Sequence, residues 1–243
     1  MTLIYAHRGA NREAAENTRT AFDKALHHAI DGIETDVQLS RDGIAVLWHD
    51  DDLARLGLPD RRIGDFDHAQ LRAMDFAAHF SGAAKEGVMT LADFVAAYRD
   101  HCRLLLEIKH HPGEPRLRRY DKVARTLACA GADDGRVIVS SFDLDSLVCA
   151  HGLAARCPLV LNFEPQHDVA HVRRMLAAAP WLHGVCVHIA TLDEAMMEAA
   201  RECGKLIAVY TCNDDEQIAR SLRLGVDILI SDVPPQALRA RDA

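Results

Sequence analysis

Two carboxylates, Glu34 and Asp36, stand two residues apart in the apolar stretch at residues 33–39. Side chains alternate between the faces of a strand, so both carboxylates would point the same way. Two like charges on a buried face repel unless a cation lies between them, and Mg²⁺ and Ca²⁺ accept such oxygen ligands. The pattern predicts a divalent-metal site; a solvated strand face is the alternative.

A second charged pair ends the strongly apolar run at residues 104–109. Glu107 and Lys109 share one strand face, opposite Leu106 and Ile108. Charged residues at the carboxyl end of a barrel strand are typical of active sites. Glu107 is therefore a candidate third metal ligand and Lys109 a candidate contact for an anionic substrate oxygen, with a simple surface ion pair as the alternative.

The tripeptide His7-Arg8-Gly9 follows a short apolar run near the start of the chain. Arginine binds phosphate oxygens in pairs, and histidine exchanges protons near neutral pH. Glycine lets the backbone turn sharply close to a ligand. The position of the tripeptide at a strand end predicts proton transfer by His7 and phosphate binding by Arg8.

A hairpin is expected where Asp42-Gly43 separates two strand-like runs, because this dipeptide is a strong short-range hairpin signal. A two-residue turn would set Asp36 opposite His49 and on the face of the carboxylates. His49 is then a second candidate for proton transfer, with a structural histidine as the alternative. The run at residues 44–48 becomes an extra antiparallel strand.

The elements that must position these residues alternate along the chain. Eight apolar strand-like segments are separated by amphipathic helices, at residues 3–6, 32–39, 103–109, 136–140, 158–163, 184–188, 206–211 and 227–231. This alternation favours a parallel sheet with crossover helices, and eight strands in 243 residues match a (β/α)₈ TIM barrel. We predict one α/β domain over residues 1–243, with the hairpin and a small insertion, at residues 50–90, after the second strand.

Composition narrows the class of protein. The net charge of −8 speaks against broad nucleic-acid binding, which needs a basic surface. No apolar run reaches the roughly 20 residues that span a bilayer, and the first residues lack the pattern of a signal peptide. Seven cysteines without a Cys-x-x-Cys pair fit a reducing compartment. We predict a cytoplasmic protein with no nucleic-acid partner and no stable membrane association; no oligomeric state is predicted.

Taken together, these segments resemble the glycerophosphodiester phosphodiesterase family of the bacterial cytoplasmic type. The matching motifs follow the family's order along nearly the whole chain: His7-Arg8-Gly9-Ala10, Glu16-Asn17-Thr18 with Ala21-Phe22, residues 32–39, Asp42-Gly43, His49-Asp50, Leu106-Glu107-Ile108-Lys109, Ser141-Phe142, Asn213-Asp214 and Gly225-Val226-Asp227. Each motif is weak alone, but the combination is specific. Ala15 and Tyr210 depart from it, since the family usually has Pro and Trp there.

The resemblance implies hydrolysis of glycerophosphodiesters, such as glycerophosphocholine or glycerophosphoethanolamine, to glycerol 3-phosphate and an alcohol. It also implies one divalent cofactor, Mg²⁺ or Ca²⁺. Carried over by motif, the implied site residues are the metal ligands Glu34, Asp36 and Glu107, the acid–base pair His7 and His49, and the phosphate contacts Arg8 and Lys109. Phe142 and Tyr210 are candidates for an apolar wall beside the substrate, with ordinary core aromatics as the alternative.

Two other functions share these motifs. A related barrel phosphodiesterase could act on a lipid, as a lysophospholipase D does, although no amphipathic interfacial helix is evident. A non-catalytic binding protein on the same fold is the second alternative, because fold does not determine function. It would be favoured if ligands or bases were missing, whereas all seven expected polar positions are present.

Overall fold

The computed structural model of the chain describes residues 1–131 and 134–243. Its strands are β1 (Leu3–His7), β2 (Gly32–Leu39), β3 (Ala45–Leu47), β4 (Arg103–Ile108), β5 (Val137–Ser141), β6 (Leu159–Phe163), β7 (Gly184–His188), β8 (Leu206–Tyr210) and β9 (Ile228–Ser231). Its α-helices are α1 (Arg19–Leu26), α2 (His68–Ala73), α3 (Leu91–Tyr98), α4 (Arg116–Ala130), α5 (Leu144–Gly152), α6 (Val169–Ala178), α7 (Glu194–Glu202), α8 (Asp215–Leu224) and α9 (Pro234–Asp242). Within these ranges, no helix combines the length and apolar character needed to cross a bilayer.

Eight of the strands close into a parallel barrel. They pair in the order β1, β2, β4, β5, β6, β7, β8, β9, and β9 pairs back with β1. The remaining strand, β3, lies outside the ring and runs antiparallel to β2. The prediction of a (β/α)₈ barrel with an extra hairpin strand is therefore confirmed.

Strand alternation divides the apolar side chains into two layers. Those that point outward, such as Ile33 and Leu104, pack against the helices. Those that point inward fill the barrel, among them Tyr5 and Leu105. Nearer the carboxyl ends of the strands the inward positions become polar, and Glu107 is one example. The barrel is therefore closed by apolar residues inside and carries its polar groups at its mouth.

The hairpin after β2 differs from the predicted one in its register. Leu39 pairs with Ala45, not with Val46. The predicted pairing of Asp36 with His49 is wrong by one residue, because the backbone carbonyl of Asp36 accepts a hydrogen bond from the residue before His49, at 3.1 Å.

The loop of this hairpin explains the shift. It has three residues, 41–43, and ends on Gly43 in the left-handed region, at a φ of 80°. This is a common three-residue hairpin loop. The Ser40 hydroxyl stabilises it by donating to Asp42 at 2.6 Å and accepting from the backbone N–H of Ile44 at 2.8 Å. These local bonds favour the longer loop over a two-residue turn.

The segment at residues 50–90 packs around an apolar cluster of its own. It contains α2 and shorter helical turns at Ala54–Leu56 and Ile63–Asp65. The cluster consists of Val46, Trp48, Leu53, Ile63, Leu71, Phe76 and Val88. The insertion is thus a packed unit, and His49 lies where the chain leaves β3 to enter it.

Candidate active site

A cavity of about 510 Å³ opens at the carboxyl ends of the barrel strands. Its walls include eight of the nine site residues predicted from the sequence: His7, Arg8, Glu34, His49, Glu107, Lys109, Phe142 and Tyr210. The ninth, Asp36, is only 1% exposed and contacts Arg8 and Lys109. The barrel therefore gathers all nine residues in one place.

Three carboxylates form a cluster at this mouth. Glu34, Asp36 and Glu107 each offer an oxygen within 4.8 Å of the others, and none is more than 9% exposed. The register of β2 and β4 produces the cluster, because Asp36 pairs with Glu107 while Glu34 lies two residues earlier on the same face. Such buried like charges are costly alone. The three residues could hold a metal ion, since hard cations bind carboxylate oxygens.

Glu34 is the least satisfied member of the cluster. Its Oε2 atom is buried without a hydrogen-bond partner among the described residues, and Nε2 of His7 lies 3.8 Å away. Burial, together with the charges of Asp36 and Glu107, raises the pKa of Glu34 well above its ordinary value. A buried carboxylate oxygen that faces other carboxylates and lacks a donor fits a cation ligand.

Arg8 and Lys109 bring positive charge to the cluster. Arg8 Nε lies 3.1 Å from Asp36 Oδ2, while Lys109 Nζ lies 3.5 Å from Asp36 Oδ1 and 2.8 Å from Glu107 Oε1. Burial alone would raise the pKa of Asp36, but Arg8, Lys109 and His49 outweigh it and lower this pKa below its ordinary value. Both cations also line the cavity, where an anionic oxygen can meet them.

The backbone after β1 explains the glycine in the first motif. Arg8 and Gly9 both adopt left-handed conformations, with φ values of 56° and 84°. A Cβ atom on Gly9 would also lie only 2.8 Å from the backbone carbon of Ala21. Gly9 is required on both counts. The sharp turn lets the N–H of Arg8 donate to the Glu34 carbonyl at 2.9 Å, which keeps Arg8 beside the carboxylates.

Each histidine is oriented by an aspartate at its Nδ1 atom. Nδ1 of His7 lies 2.6 Å from Asp232 Oδ1, and Nδ1 of His49 lies 2.8 Å from Asp50 Oδ1. A carboxylate beside Nδ1 keeps a proton on that nitrogen, which leaves Nε2 to accept or donate a proton. The arrangement therefore equips both histidines for proton transfer at Nε2.

His49 reaches the cavity by a route that differs from the predicted strand pairing. Because β3 ends at Leu47, His49 is outside the ladder with β2. The side-chain amide of Gln38 donates to the carbonyls of Trp48 and Asp50, at 2.9 and 2.8 Å. These two bonds flank His49 and hold its segment against β2. The side chain lies on the cavity wall as a result.

Comparison with known proteins identifies the family. A model of the glycerophosphoryl diester phosphodiesterase family matches residues 7–236. The chain belongs to this family. A glycerophosphodiester phosphodiesterase of Bacillus altitudinis is 31% identical over 253 residues, which cover 100% of this chain and 99% of the relative. One of Caldanaerobacter subterraneus subsp. tengcongensis is also 31% identical and covers 96% of this chain and 95% of its own length. The predictions of the family and of a phosphoric diester hydrolase are confirmed.

Solved structures of the family match the whole fold. An Oleispira antarctica phosphodiesterase, in complex with the product sn-glycerol-3-phosphate, has a TM-score of 0.87 at 25% identity and covers 100% of this chain and 98% of its own. A glycerophosphodiester phosphodiesterase of Agrobacterium tumefaciens has a TM-score of 0.79 at 25% identity, with 98% and 100% covered. The similarity extends over the insertion as well as the barrel.

Three polar residues of the site were not among the candidates predicted from the sequence. Asp232 anchors the first histidine, Asn162 donates to Glu107 Oε2 at 3.2 Å, and Asn17 donates to Asp36 Oδ2 at 3.0 Å. Strand alternation could have found Asp232 and Asn162, which continue the inward faces of β9 and β6 at their carboxyl ends. Asn17 has a left-handed φ of 57° in a loop, where strand alternation does not apply. The motif Glu16-Asn17-Thr18 was the sequence signal that could have marked it.

Phe142 and Tyr210 stand together on the cavity wall. Their rings meet edge to face, with centroids 5.7 Å apart, an arrangement favoured by aromatic pairs. The hydroxyl of Tyr210 donates to the backbone carbonyl of Phe163 at 2.9 Å. Because this hydroxyl is hydrogen-bonded to the backbone, Tyr210 presents mainly its apolar ring to the cavity.

Proposed function

We propose that this chain hydrolyses glycerophosphodiesters to glycerol 3-phosphate and an alcohol, with one divalent cation held by Glu34, Asp36 and Glu107. The proposal rests on the buried carboxylate cluster, in which one Glu34 oxygen has no hydrogen-bond partner within residues 1–131 and 134–243. Two cations and two histidines, each with an aspartate at Nδ1, flank the cluster. The bound sn-glycerol-3-phosphate of the Oleispira antarctica relative supports the choice of substrate.

The donor set favours Mg²⁺ or Ca²⁺ over softer metals. All three ligands offer carboxylate oxygens, which hard divalent cations prefer. When bound, such an ion stabilises negative charge on a phosphate oxygen as a Lewis acid and helps to orient the reacting groups. Asn162 and Asn17 donate to Glu107 and Asp36, so they orient two of the ligands.

Arg8 and Lys109 bind the phosphate in this proposal. Both lie beside the carboxylates, with side chains 14% and 13% exposed, and both line the cavity. Their charges partly balance the carboxylates in the resting site, and they can share the charge of an incoming phosphodiester. We assign them the non-bridging phosphate oxygens.

His7 and His49 transfer protons in this proposal. One Nε2 removes a proton from the attacking hydroxyl, which belongs to water or to the glycerol of the substrate. In the second case a cyclic phosphate forms as the alcohol leaves, and water then opens it to glycerol 3-phosphate. The other Nε2 protonates the departing alkoxide. Asp232 and Asp50 hold the imidazoles in the orientation and tautomer that these steps require.

Phe142 and Tyr210 form the apolar wall of the substrate site in this proposal. The pair lines the same cavity as the histidines. The phenol ring of Tyr210 offers a smaller apolar surface than the tryptophan that the family usually has at this position. We propose that this wall contacts the glycerol or the alcohol part of the substrate, not its phosphate.

The proposal extends to the organisation and place of the protein. We assign residues 1–243 to one barrel domain, because β3 pairs with the barrel strand β2 and its Leu47 N–H donates to the carbonyl of Met89 in the insertion. The protein acts in the cytoplasm, where its seven cysteines would remain reduced.

A coupled assay for released glycerol 3-phosphate tests the proposed function. Wild-type protein is given glycerophosphocholine, glycerophosphoethanolamine and lysophosphatidylcholine, each with Mg²⁺, with Ca²⁺ and with EDTA. Turnover of lysophosphatidylcholine is followed by the choline released, because its hydrolysis yields lysophosphatidic acid and choline, not glycerol 3-phosphate. We expect turnover of the glycerophosphodiesters that depends on metal. Turnover of lysophosphatidylcholine alone would point to a lipid phosphodiesterase, and no turnover of any substrate would contradict the proposal.

A further inference from the structure

Arg55 lies in the insertion, yet its guanidinium contacts the supports of two active-site residues. Its Nε donates to Asp50 Oδ2 at 2.5 Å, and its Nη2 donates to Glu16 Oε1 at 2.7 Å. Asp50 is the carboxylate that orients His49. The same Glu16 oxygen accepts from Arg8 Nη1 at 3.0 Å. One side chain therefore connects a histidine of the cavity wall with a cation of the cavity wall.

The guanidinium of Arg55 is itself held in place. Its central carbon lies 5.0 Å from the ring centroid of Trp48, which is 1% exposed. The indole N–H of Trp48 donates to the Asp52 carbonyl at 2.9 Å. A stacked guanidinium presents its N–H groups in fixed directions, which a lysine ammonium cannot do. Both carboxylates can thus be held at once.

The two carboxylates that Arg55 contacts, those of Asp50 and Glu16, are ionised at neutral pH. Burial tends to raise the pKa of Asp50, but its bonds to His49 and Arg55 outweigh burial and lower this pKa to about 2. Arg8 and Arg55 similarly lower the pKa of Glu16 against the effect of burial. Both carboxylates are therefore ionised under the conditions of turnover.

We propose that Arg55 is a positioning residue of the active site, which fixes His49 through Asp50 and Arg8 through Glu16. This inference rests on the proposed function, because it gives Arg55 its role in the reaction assigned to His49 and Arg8. The contrasting explanation is an ion pair that only fastens the insertion to the barrel. Such a pair would change the stability of the protein and leave its kinetic constants alone.

The variants Arg55→Lys and Arg55→Met separate these explanations. The matched control is Arg61→Met, because Arg61 is also in the insertion, bonds a carboxylate of Asp65 at 3.1 Å and lies 4.8 Å over the ring of Phe66. Neither partner of Arg61 lines the cavity. Steady-state kinetics with glycerophosphocholine at saturating Mg²⁺ and thermal unfolding are measured for each variant. We expect about a 10–100-fold loss of kcat/KM in both Arg55 variants, with kcat lowered and KM raised, and wild-type constants in Arg61→Met.

Two double variants test whether Arg55 acts through His49 and through Glu16. If Arg55 acts through His49, Arg55→Met lowers kcat much less in His49→Ala than in the wild type. If it acts through Glu16, Arg55→Met raises KM much less in Glu16→Gln.

Kinetic constants of Arg55→Met equal to those of Arg61→Met would overturn the inference and leave the proposed function standing. Full-sized effects of Arg55→Met in both backgrounds would overturn it as well. A wild-type protein that hydrolyses no glycerophosphodiester would instead overturn the proposed function, and this inference with it.

Discussion

Both histidines of the site have an aspartate at Nδ1, but the two pairs lie in regions of different burial. His7 ends β1, and its partner Asp232 directly follows β9, the neighbouring strand. Asp232 also accepts from the side chains of Asn11 and Asn213, at 2.6 and 2.7 Å. The side chains of His7 and Asp232 are each 15% exposed. This half of the site is part of the barrel.

The other half belongs to the chain that leaves the barrel. The side chains of His49 and Asp50 are 34% and 31% exposed, about twice the exposure of the first pair. Their further support comes from Arg55, in the insertion. A disturbance of the insertion should therefore reach the His49 half of the site and spare the His7 half, although the proposed reaction needs both histidines.

Replacing either histidine should have the largest effect. His7→Ala and His49→Ala should each lower kcat by about 10²–10⁴-fold, the usual contribution of a positioned acid or base, while thermal unfolding stays cooperative. The exposed His27 provides a control, since His27→Ala should keep wild-type kcat. Turnover near the wild-type value in either active-site variant would remove that histidine from the mechanism.

Replacing the aspartates should have a smaller effect on turnover and should separate the two halves. Asp232→Asn and Asp50→Asn keep the size of the side chain but lose its charge, and kcat should fall by about 10–100-fold in each. Only Asp232→Asn should also lower the free energy of unfolding, on the order of 1–3 kcal/mol, because its charged hydrogen bonds are the more buried. Urea unfolding measures this difference, and equal destabilisation by both variants would contradict the inference drawn from the contrast in burial.

Replacing two glycines, one after β1 and one in the insertion, should have the smallest effects. Gly9 and Gly57 both have positive φ, at 84° and 76°. Alanine in this conformation costs about 1–2 kcal/mol. At Gly57 nothing lies within 4 Å of an added Cβ, whereas at Gly9 the backbone of Ala21 is 2.8 Å away. Gly9→Ala should therefore lower the free energy of unfolding by more than Gly57→Ala does and should also lower kcat. The reverse order in urea unfolding would show that the turn after β1 is not constrained as described.

The period of a strand was enough to predict most of the site. Alternation alone placed Glu34 with Asp36 and Glu107 with Lys109, and the repeated strand and helix pattern predicted the barrel that brings them together. The hairpin register could not be predicted in this way, because Asp42-Gly43 suits loops of two and of three residues. The choice depends on hydrogen bonds of Ser40 that only the folded loop displays.

Arg55 shows a second limit of sequence-based prediction. It contacts Glu16, which is 39 residues away along the chain. That contact depends on how the insertion packs around Trp48, and no local pattern encodes such packing. Asp232 was within reach, since it continues the inward face of β9.

The central claim is that turnover depends on a divalent ion held by Glu34, Asp36 and Glu107. The most direct test strips the protein of metal with EDTA, removes the chelator by dialysis, and follows release of glycerol 3-phosphate from glycerophosphocholine while Mg²⁺ or Ca²⁺ is added stepwise. We predict no turnover without metal, a saturable return of turnover in the wild type, and a return only at much higher metal concentration in Glu34→Gln and Glu107→Gln. Full turnover by the metal-free wild type, or the same metal dependence in all three proteins, would contradict the claim.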